Sequence, residues 1–253
     1  DFCLSRGLGD VYKRQGFYVG GYDLSGDVGS IDNIGGPRGT LDVTGIGQSA
    51  MDRLLLPGSG TMTFKSFFND AALSSHVILG ALPTTDTQVV YARGQAIGDA
   101  CAMMIAKQIN YDWSRNQDGS LELTVEAQST GGVALEWGVM LSAADDTHSS
   151  ASSSSSLDNG ASTSAGAAAY LQILDINSGA PTVKIEDSTN DSSFSDLITF
   201  SAVSDGAEPS IERKTVAGTV NRYVRVTTTG TLSNCKFIVG FRRGEATDDV
   251  AYS

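Results

Sequence analysis

Histidine, cysteine, proline and positive charge are all in short supply in this chain. Only two histidines, His76 and His148, are available for proton transfer or metal ligation, which leaves little for histidine-based catalysis. The three cysteines include no CxxC pair, so a disulfide-stapled scaffold and a cysteine-rich zinc site are both excluded. Lys and Arg number 17 against 29 Asp and Glu, giving a net charge of −12 and a pI near 4.4. Gripping nucleic acid through its phosphates needs clustered cations, so that mode of binding is excluded, whereas letting DNA pass without gripping it is not. No run approaches 18 apolar residues, which excludes a transmembrane helix. What is present is an ordinary apolar share, 40 %, too high for a disordered chain, and 29 glycines without a collagen-like period. The 253 residues suffice for one or two domains, each able to bury a core.

Residues 1–15 stand apart. They lack the apolar core of a signal peptide, and the string Ser5-Arg6-Gly7-Leu8-Gly9-Asp10-Val11-Tyr12-Lys13-Arg14-Gln15 resembles translated sequencing-adapter sequence. Treated as a non-native leader, they leave 14 basic and 27 acidic side chains, a charge of −13, and only Cys101 and Cys235. Gly16 then lies part-way into the protein, and the remaining cysteines read as reduced.

The clearest internal boundary is the serine tract around Ser152 to Ser156, continuing to Gly166. Small polar side chains bury too little apolar area to order themselves, so residues 146–166 are expected to be a flexible linker. They separate 16–145 from 167–245, with an acidic tail over 246–253. In the first part, residues 20–49 are dense in Gly and Asp, which favours loops over regular elements. Thr61–Phe67 alternates as a strand, and Asn69 or Asp70 is placed to cap an amphipathic helix from Ala71 to Leu82, stopped by Pro83. Short apolar runs at 89–92 and 101–106 read as strands. Ile109, Tyr111 and Trp113 turn through Asn116-Gln117-Asp118-Gly119 into Leu121, Leu123 and Val125, a hairpin, and 133–140 forms a further strand. The second part reads as strands at 170–174, 181–186, 198–203, 223–228 and 235–241, with Phe237, Val239 and Phe241 on one face. That pattern predicts a β-sandwich, jelly-roll-like in organisation.

Candidate chemistry fails motif by motif. Gly45-Ile46-Gly47-Gln48-Ser49-Ala50 matches GxGxxA, but Pro57-Gly58 stops any helix after Leu55, far too soon for a dinucleotide fold. No Gly-Lys dipeptide exists for a P-loop. Asp23, Asp27, Asp32 and Asn33 do not have calcium-loop spacing. Asp145-Asp146 and Asp248-Asp249 read as solvated charge. His76 reads as a structural histidine on the helix, and His148 sits in a tract unable to hold it rigidly, as catalysis requires. Cys101 reads as a small core residue, and no serine lies in GxSxG. Asn190-Asp191-Ser192 is a glycosylation triplet without a secretion signal. No enzyme, cofactor or metal site is therefore expected.

The order of the segments carries more information. Tyr18-Val19-Gly20-Gly21-Tyr22-Asp23-Leu24-Ser25-Gly26-Asp27-Val28, then Leu41-Asp42-Val43-Thr44-Gly45-Ile46-Gly47-Gln48-Ser49-Ala50-Met51-Asp52-Arg53 and Phe64-Lys65-Ser66-Phe67-Phe68-Asn69-Asp70, resemble the siphophage tail tube (major tail) protein family. His76, Ala81 to Asp86, Gln108 to Arg115 and Leu135 to Leu141 continue the resemblance, and Val183 to Ser188 and Asn221 to Gly230 are similar to sandwich modules such tail proteins carry. The resemblance implies a mainly β fold: a tail-tube-like β-sandwich with one flanking α-helix, plus a C-terminal jelly-roll-like β-sandwich. It implies a virion structural subunit, assembled in the host cytoplasm into stacked, typically hexameric rings. The partners it implies are further copies, tape-measure and tail-tip proteins, and DNA sliding through the lumen, with no membrane. Asp23, Asp27, Asp32, Asp42 and Asp52 are then the acids expected to face the lumen or the ring interfaces, where negative charge repels phosphate. The rival reading is a carbohydrate-binding or adhesion module, which needs Tyr170, Phe194 or Tyr223 on an open surface. A hydrolase with a non-local site is the third.

Overall fold

A computed structural model describes residues 15–81, 85–143 and 146–245; residues 1–14 of the expected leader, Leu82, Pro83, Asp145 and the acidic tail lie outside them. The chain is almost wholly antiparallel β. In order come β1 (Gly16–Val19), β2 (Tyr22–Asp23), β3 (Val28–Gly35), β4 (Arg38–Asp42), β5 (Arg53–Gly58) and β6 (Thr61–Phe67). The helix α1 (Ser75–Leu79) precedes β7 (Thr87–Ala92), β8 (Ala100–Gln108), β9 (Asp112–Arg115), β10 (Leu121–Ser129) and β11 (Glu136–Met140). Then follow β12 (Leu157–Asp158), β13 (Ala167–Asp175), β14 (Ser178–Gly179), β15 (Thr182–Ser188) and β16 (Ser195–Thr199). The chain ends with β17 (Ser210–Val216), β18 (Tyr223–Thr229), β19 (Leu232–Ser233) and β20 (Lys236–Arg243).

Twelve strands form one curled sheet with the path β17-β13-β20-β11-β8-β10-β6-β3, and β12-β18-β15-β16 form a second, four-stranded sheet. Period-2 alternation sorts the side chains into three cores. Phe17 and Val19 of β1, Met62 and Phe64 of β6, Met104 of β8 and Val125 of β10 fill the first, inside the curl. Leu171 and Ile173 of β13 and Phe237, Val239 and Phe241 of β20 pack against Val183, Ile185, Val224 and Val226 of the second sheet, which makes the expected C-terminal sandwich. The third core lies between the two halves: Tyr18, Val90, Cys101 and Met103 meet Met140, Tyr170 and Ile238. The strands β8, β13 and β20 are thus covered on both faces, which is why they read as nearly continuous apolar runs. Cys101 is fully buried in this third core, and burial pushes its thiol up to about 12.

Several sequence expectations change. Residues 20–49, expected to be loops, contain β2, β3 and β4, and the Gly20-Gly21 pair makes the two-residue turn between β1 and β2. Both glycines have positive φ, as a type I′ hairpin demands. A Cβ on Gly21 would also lie 2.6 Å from Pro209. The helix expected over 71–82 is a single turn starting after Ser74, because Leu73 takes a left-handed φ of 63° and breaks continuity with Ala71. Neither Asn69 nor Asp70 caps it; the first helical N–H, on Ser75, donates to Asp27 Oδ2 at 2.8 Å. β17, absent from the sequence expectation, closes one edge of the large sheet beside β13.

The serine tract is also ordered. It runs antiparallel along β18: Ser154 N–H donates to Val226 O at 2.8 Å, Thr228 N–H to Ser152 O at 2.8 Å, and Thr163 exchanges bonds with Val220. An exposed strand edge offers unpaired backbone groups, and pairing with it needs no apolar side chain. His148, expected to be held loosely, bridges Cys235 and stacks on Phe237 with ring centroids 4.5 Å apart. Asp158 closes the strap with a bidentate pair to Arg222, both distances 2.6 Å.

Arg222 holds the Asp158 carboxyl down to about 2 from its ordinary 3.8. A lowered carboxyl contributes stability above its unfolded pKa and loses it as pH falls through the folded value. NMR titration should therefore place the Asp158 midpoint near 2, and Arg222→Gln should move it up toward 3.8. A second prediction concerns packing where β8, β11 and β20 meet. A Cβ on Gly138 would lie 2.2 Å from the Phe241 carbonyl oxygen and 2.8 Å from Met103 Cε, while Gly26 has open space. Gly138→Ala should destabilise the protein by about 1–3 kcal/mol or more in chemical denaturation, and Gly26→Ala by far less.

Candidate assembly interface

The strands β3 and β6 pair inside the large sheet, from Val28 opposite Ser66 to Gly35 opposite Thr61. Beyond Gly36-Pro37 on one strand and Ser59-Gly60 on the other, the same two chains continue as β4 and β5, paired only with each other. Ser59 N–H donating to Pro37 O at 2.9 Å holds the neck. The result is a two-stranded arm that leaves the body of the protein, and every residue of β4 is exposed. Its tip is a small hydrogen-bonded turn. Asp42 accepts from Thr44 N–H at 2.9 Å and from the Thr44 hydroxyl, which holds its carboxyl below the ordinary range. The Asp52 N–H donates to Thr44 Oγ1 at 2.9 Å.

The arm is apolar as well as exposed. Leu41, Val43, Met51, Leu54 and Leu56 are open to solvent, Leu55 is 68 % exposed and Ile46, at the tip, fully so. Isolated two-stranded hairpins are marginal in water, and this many exposed apolar side chains on one ribbon, spread over both of its faces, mark an interaction site.

A cavity of about 370 Å³ lies at the root of the arm, between Arg38, Pro57, Glu136 and Arg242. Glu136 is buried and accepts from Arg213 Nε at 3.1 Å, from Arg213 Nη2 at 3.2 Å and from the Tyr170 hydroxyl, with Arg242 Nη1 at 3.7 Å. Burial and the Glu136 charge push the Tyr170 phenol up. Burial works against the Arg213 charge, yet the Glu136 carboxylate more than offsets it, and the guanidinium is raised overall. With its hydrogen bonds made within the protein, this cluster braces the two halves.

At the other end of β6, Phe68, His76, Tyr111 and Trp113 form an aromatic group, with His76 Nδ1 2.6 Å from the Tyr111 hydroxyl and Phe68 and Trp113 centroids 5.3 Å apart. Trp113 is 53 % exposed, and Leu73 and Val77, beside and within α1, are exposed as well; Phe67, opposite Glu122 and Ser114, faces the other side of the sheet.

The acids singled out in the sequence do not converge. Asp27 is half-buried and committed internally, to Asn69 Nδ2 at 2.8 Å and to Ser75 N–H. Asp23 and Asp32 are exposed, the first bonded to Ser25 N–H at 2.9 Å and the second 3.9 Å from Lys65 Nζ. Asp42 and Asp52 lie close together on the arm, where Asp42 pairs with Arg53. Sequence reasoning missed the arm's apolar residues, although Leu54-Leu55-Leu56, set between Gly35-Gly36-Pro37 and Pro57-Gly58, is a legible signal for a hydrophobic ribbon off the core. The aromatics needed for sugar stacking in the C-terminal half are occupied: Tyr170 is buried, Arg225 covers Phe194 at 3.9 Å and Arg222 covers Tyr223 at 4.9 Å. Among the described residues, no group of three or more His, Cys, Asp or Glu could hold a metal ion.

No family model matches the chain, and no curated protein matches it in sequence. Among solved structures, it is similar to the tail of an empty gene transfer agent particle refined with C6 helical symmetry, at 19 % identity and a TM-score of 0.32, over 44 % of this chain and 81 % of that one. The virion of the native gene transfer agent gives 18 % identity and a TM-score of 0.31, over 44 % and 84 %. The SPP1 Dit protein, described as a hub of the adsorption apparatus in phages infecting Gram-positive bacteria, gives 10 % and 0.33, over 90 % and 98 %. Likeness of this degree carries no weight for family or assembly.

The buried cluster yields a prediction. Arg213→Met should cost about 3–5 kcal/mol by leaving the Glu136 charge without its main partner, and adding Glu136→Leu should recover much of that loss in denaturation midpoints.

Proposed function

We propose that this chain is a structural subunit of a long, non-contractile phage tail, which self-assembles through its β4–β5 arm into stacked rings forming a DNA-conducting tube. The observation that carries the reading is the arm: seven large apolar side chains stand exposed on a two-stranded ribbon of an otherwise well-packed β protein. A ribbon of that composition is stable when a neighbouring subunit covers it. The ordered motifs of residues 18–141 and their resemblance to tail tube proteins support the same role, as does the absence of any catalytic constellation in the sequence. Rings of six, and contacts with tape-measure and tail-tip proteins, follow from that resemblance.

The net charge of −12 suits such a conduit. A negative wall repels phosphate and offers no counterion-release gain, so DNA slides without being trapped. Of the expected acids, Asp23, Asp32, Asp42 and Asp52 have exposed residues free to take that position, whereas Asp27 is held as the helix cap.

Electron microscopy of the purified protein over a range of concentrations tests the reading. Rings or tubes are the expected result for the parent chain. Leu55→Asp should yield monomers with a thermal midpoint within a few degrees of the parent, because Leu55 contributes little to the core. A parent chain that stays monomeric at every concentration overturns the proposal.

A further inference from the structure

Positive charge is scarce in this chain, yet two guanidinium groups line one cavity, the one at the root of the arm. Arg38 comes from β4 and Arg242 from β20, so one belongs to the arm and the other to the body. Among the described residues, Arg38 makes no ion pair and no hydrogen bond, and Arg242 has only Glu136, at 3.7 Å, beyond hydrogen-bond reach. Arg213, Arg222 and Arg225 differ in kind: they close on carboxylates at 3.1, 2.6 and 2.8 Å.

The sheet register explains the surplus. Gly240 stands opposite Met140 and Tyr170, and Tyr170 opposite Arg213. By the two-residue repeat of a strand, Glu136, Arg242, Tyr170 and Arg213 share that face. Glu136 is the one carboxylate among the residues lining the cavity, and it is already spent on Arg213 and the Tyr170 hydroxyl. Two positive charges are left over, from Arg38 and Arg242.

The cavity, about 370 Å³, has the size of a small-ligand site and is otherwise bounded by Pro57, Gly58 and the 132–135 turn. A guanidinium is a planar fork that fits carboxylate or phosphate oxygens in pairs, and two of them suit an anion with more than one charge. With a net charge of −12, the protein repels a long polyanion such as DNA, which favours a small one. We infer that the cavity at the root of the arm binds a small multivalent oxyanion, a phosphate or polycarboxylate, held between Arg38 and Arg242. The bound anion touches arm and body at once. It adds a second tie to the Ser59–Pro37 bond at the neck and fixes the direction of a ribbon that is marginal by itself. This site stands independently of the assembly reading.

Isothermal titration of the full chain with sodium phosphate and with sodium citrate, near neutral pH and at fixed ionic strength in chloride, tests it. The parent should bind at least one of the two at a single site. Arg38→Met should weaken that binding by at least about tenfold while keeping the thermal midpoint, because Arg38 is exposed and unpaired. Arg53→Met, the same change of charge at the far end of the arm, should bind as the parent does. Phosphate alone assigns the phosphate class, and citrate alone the polycarboxylate class. Binding of neither, binding that Arg38→Met leaves intact, or an equal loss in Arg53→Met overturns the site. Hydrogen exchange over residues 36–42 and 53–58 should slow when the anion is added to the parent and not to Arg38→Met; binding without that slowing overturns the tie between arm and body.

Discussion

The whole molecule hangs on one strand with two occupied edges. β11 pairs with β8 from Glu136 to Val139 and with β20 at Val139 and Met140, so the strands before and after the serine tract become a single sheet. Gly138 lets the Phe241 carbonyl approach where any side chain would collide. Two residues earlier on the same strand, Glu136 puts a carboxylate between the halves. Arg213 and Tyr170, both from the C-terminal half, satisfy it. Such a buried pair adds little net stability, but once formed it penalises any arrangement that separates its members. The third core, where Tyr18 and Met103 meet Tyr170 and Ile238, depends on that registration.

Because the halves are locked together, the sheet can project chain beyond its own edge. β3 and β6 are anchored in the curl, and their extension, β4 with β5, carries apolar residues outward with no third strand to cover them. A globular protein selected only to fold would bury Leu54, Leu55 and Leu56. Their exposure makes sense when burial is completed by association, where hydrophobic area is gained a second time. In the proposed tube, this separates two tasks. The apolar arm would hold subunits together, while the acidic surface left over would keep DNA moving.

Much of the secondary structure is legible in the residues, because alternation is a local property. β6, β10, β15 and β18 stand where period-2 patterning puts them, as does the hairpin from β9 to β10, and β13 and β20 stand where the apolar runs do. The departures share a cause. The serine tract has no apolar pattern, so nothing within it announces that the edge of β18 is waiting for a backbone partner. The expected helix is overlong because propensity over 71–82 ignores Leu73, whose left-handed backbone is set by its surroundings. Its true cap, Asp27, lies far away in sequence and reaches Ser75 only because β3 and β6 pair. The arm is hidden for a related reason: an apolar residue in a sequence reads as core until the structure shows that nothing lies above it.

Composition and periodicity alone establish that the chain is an antiparallel β protein, acidic, poor in the residues that perform catalysis, and punctuated by glycine where hairpins turn. These follow from side-chain chemistry and from the two-residue repeat of a strand, which any stretch of chain carries within itself. Which strands pair across the serine tract, that Glu136 meets Arg213, and which leucines stay in water are settled only in the tertiary structure. Those outcomes depend on residues far apart in the chain competing for the same edges and the same buried volume.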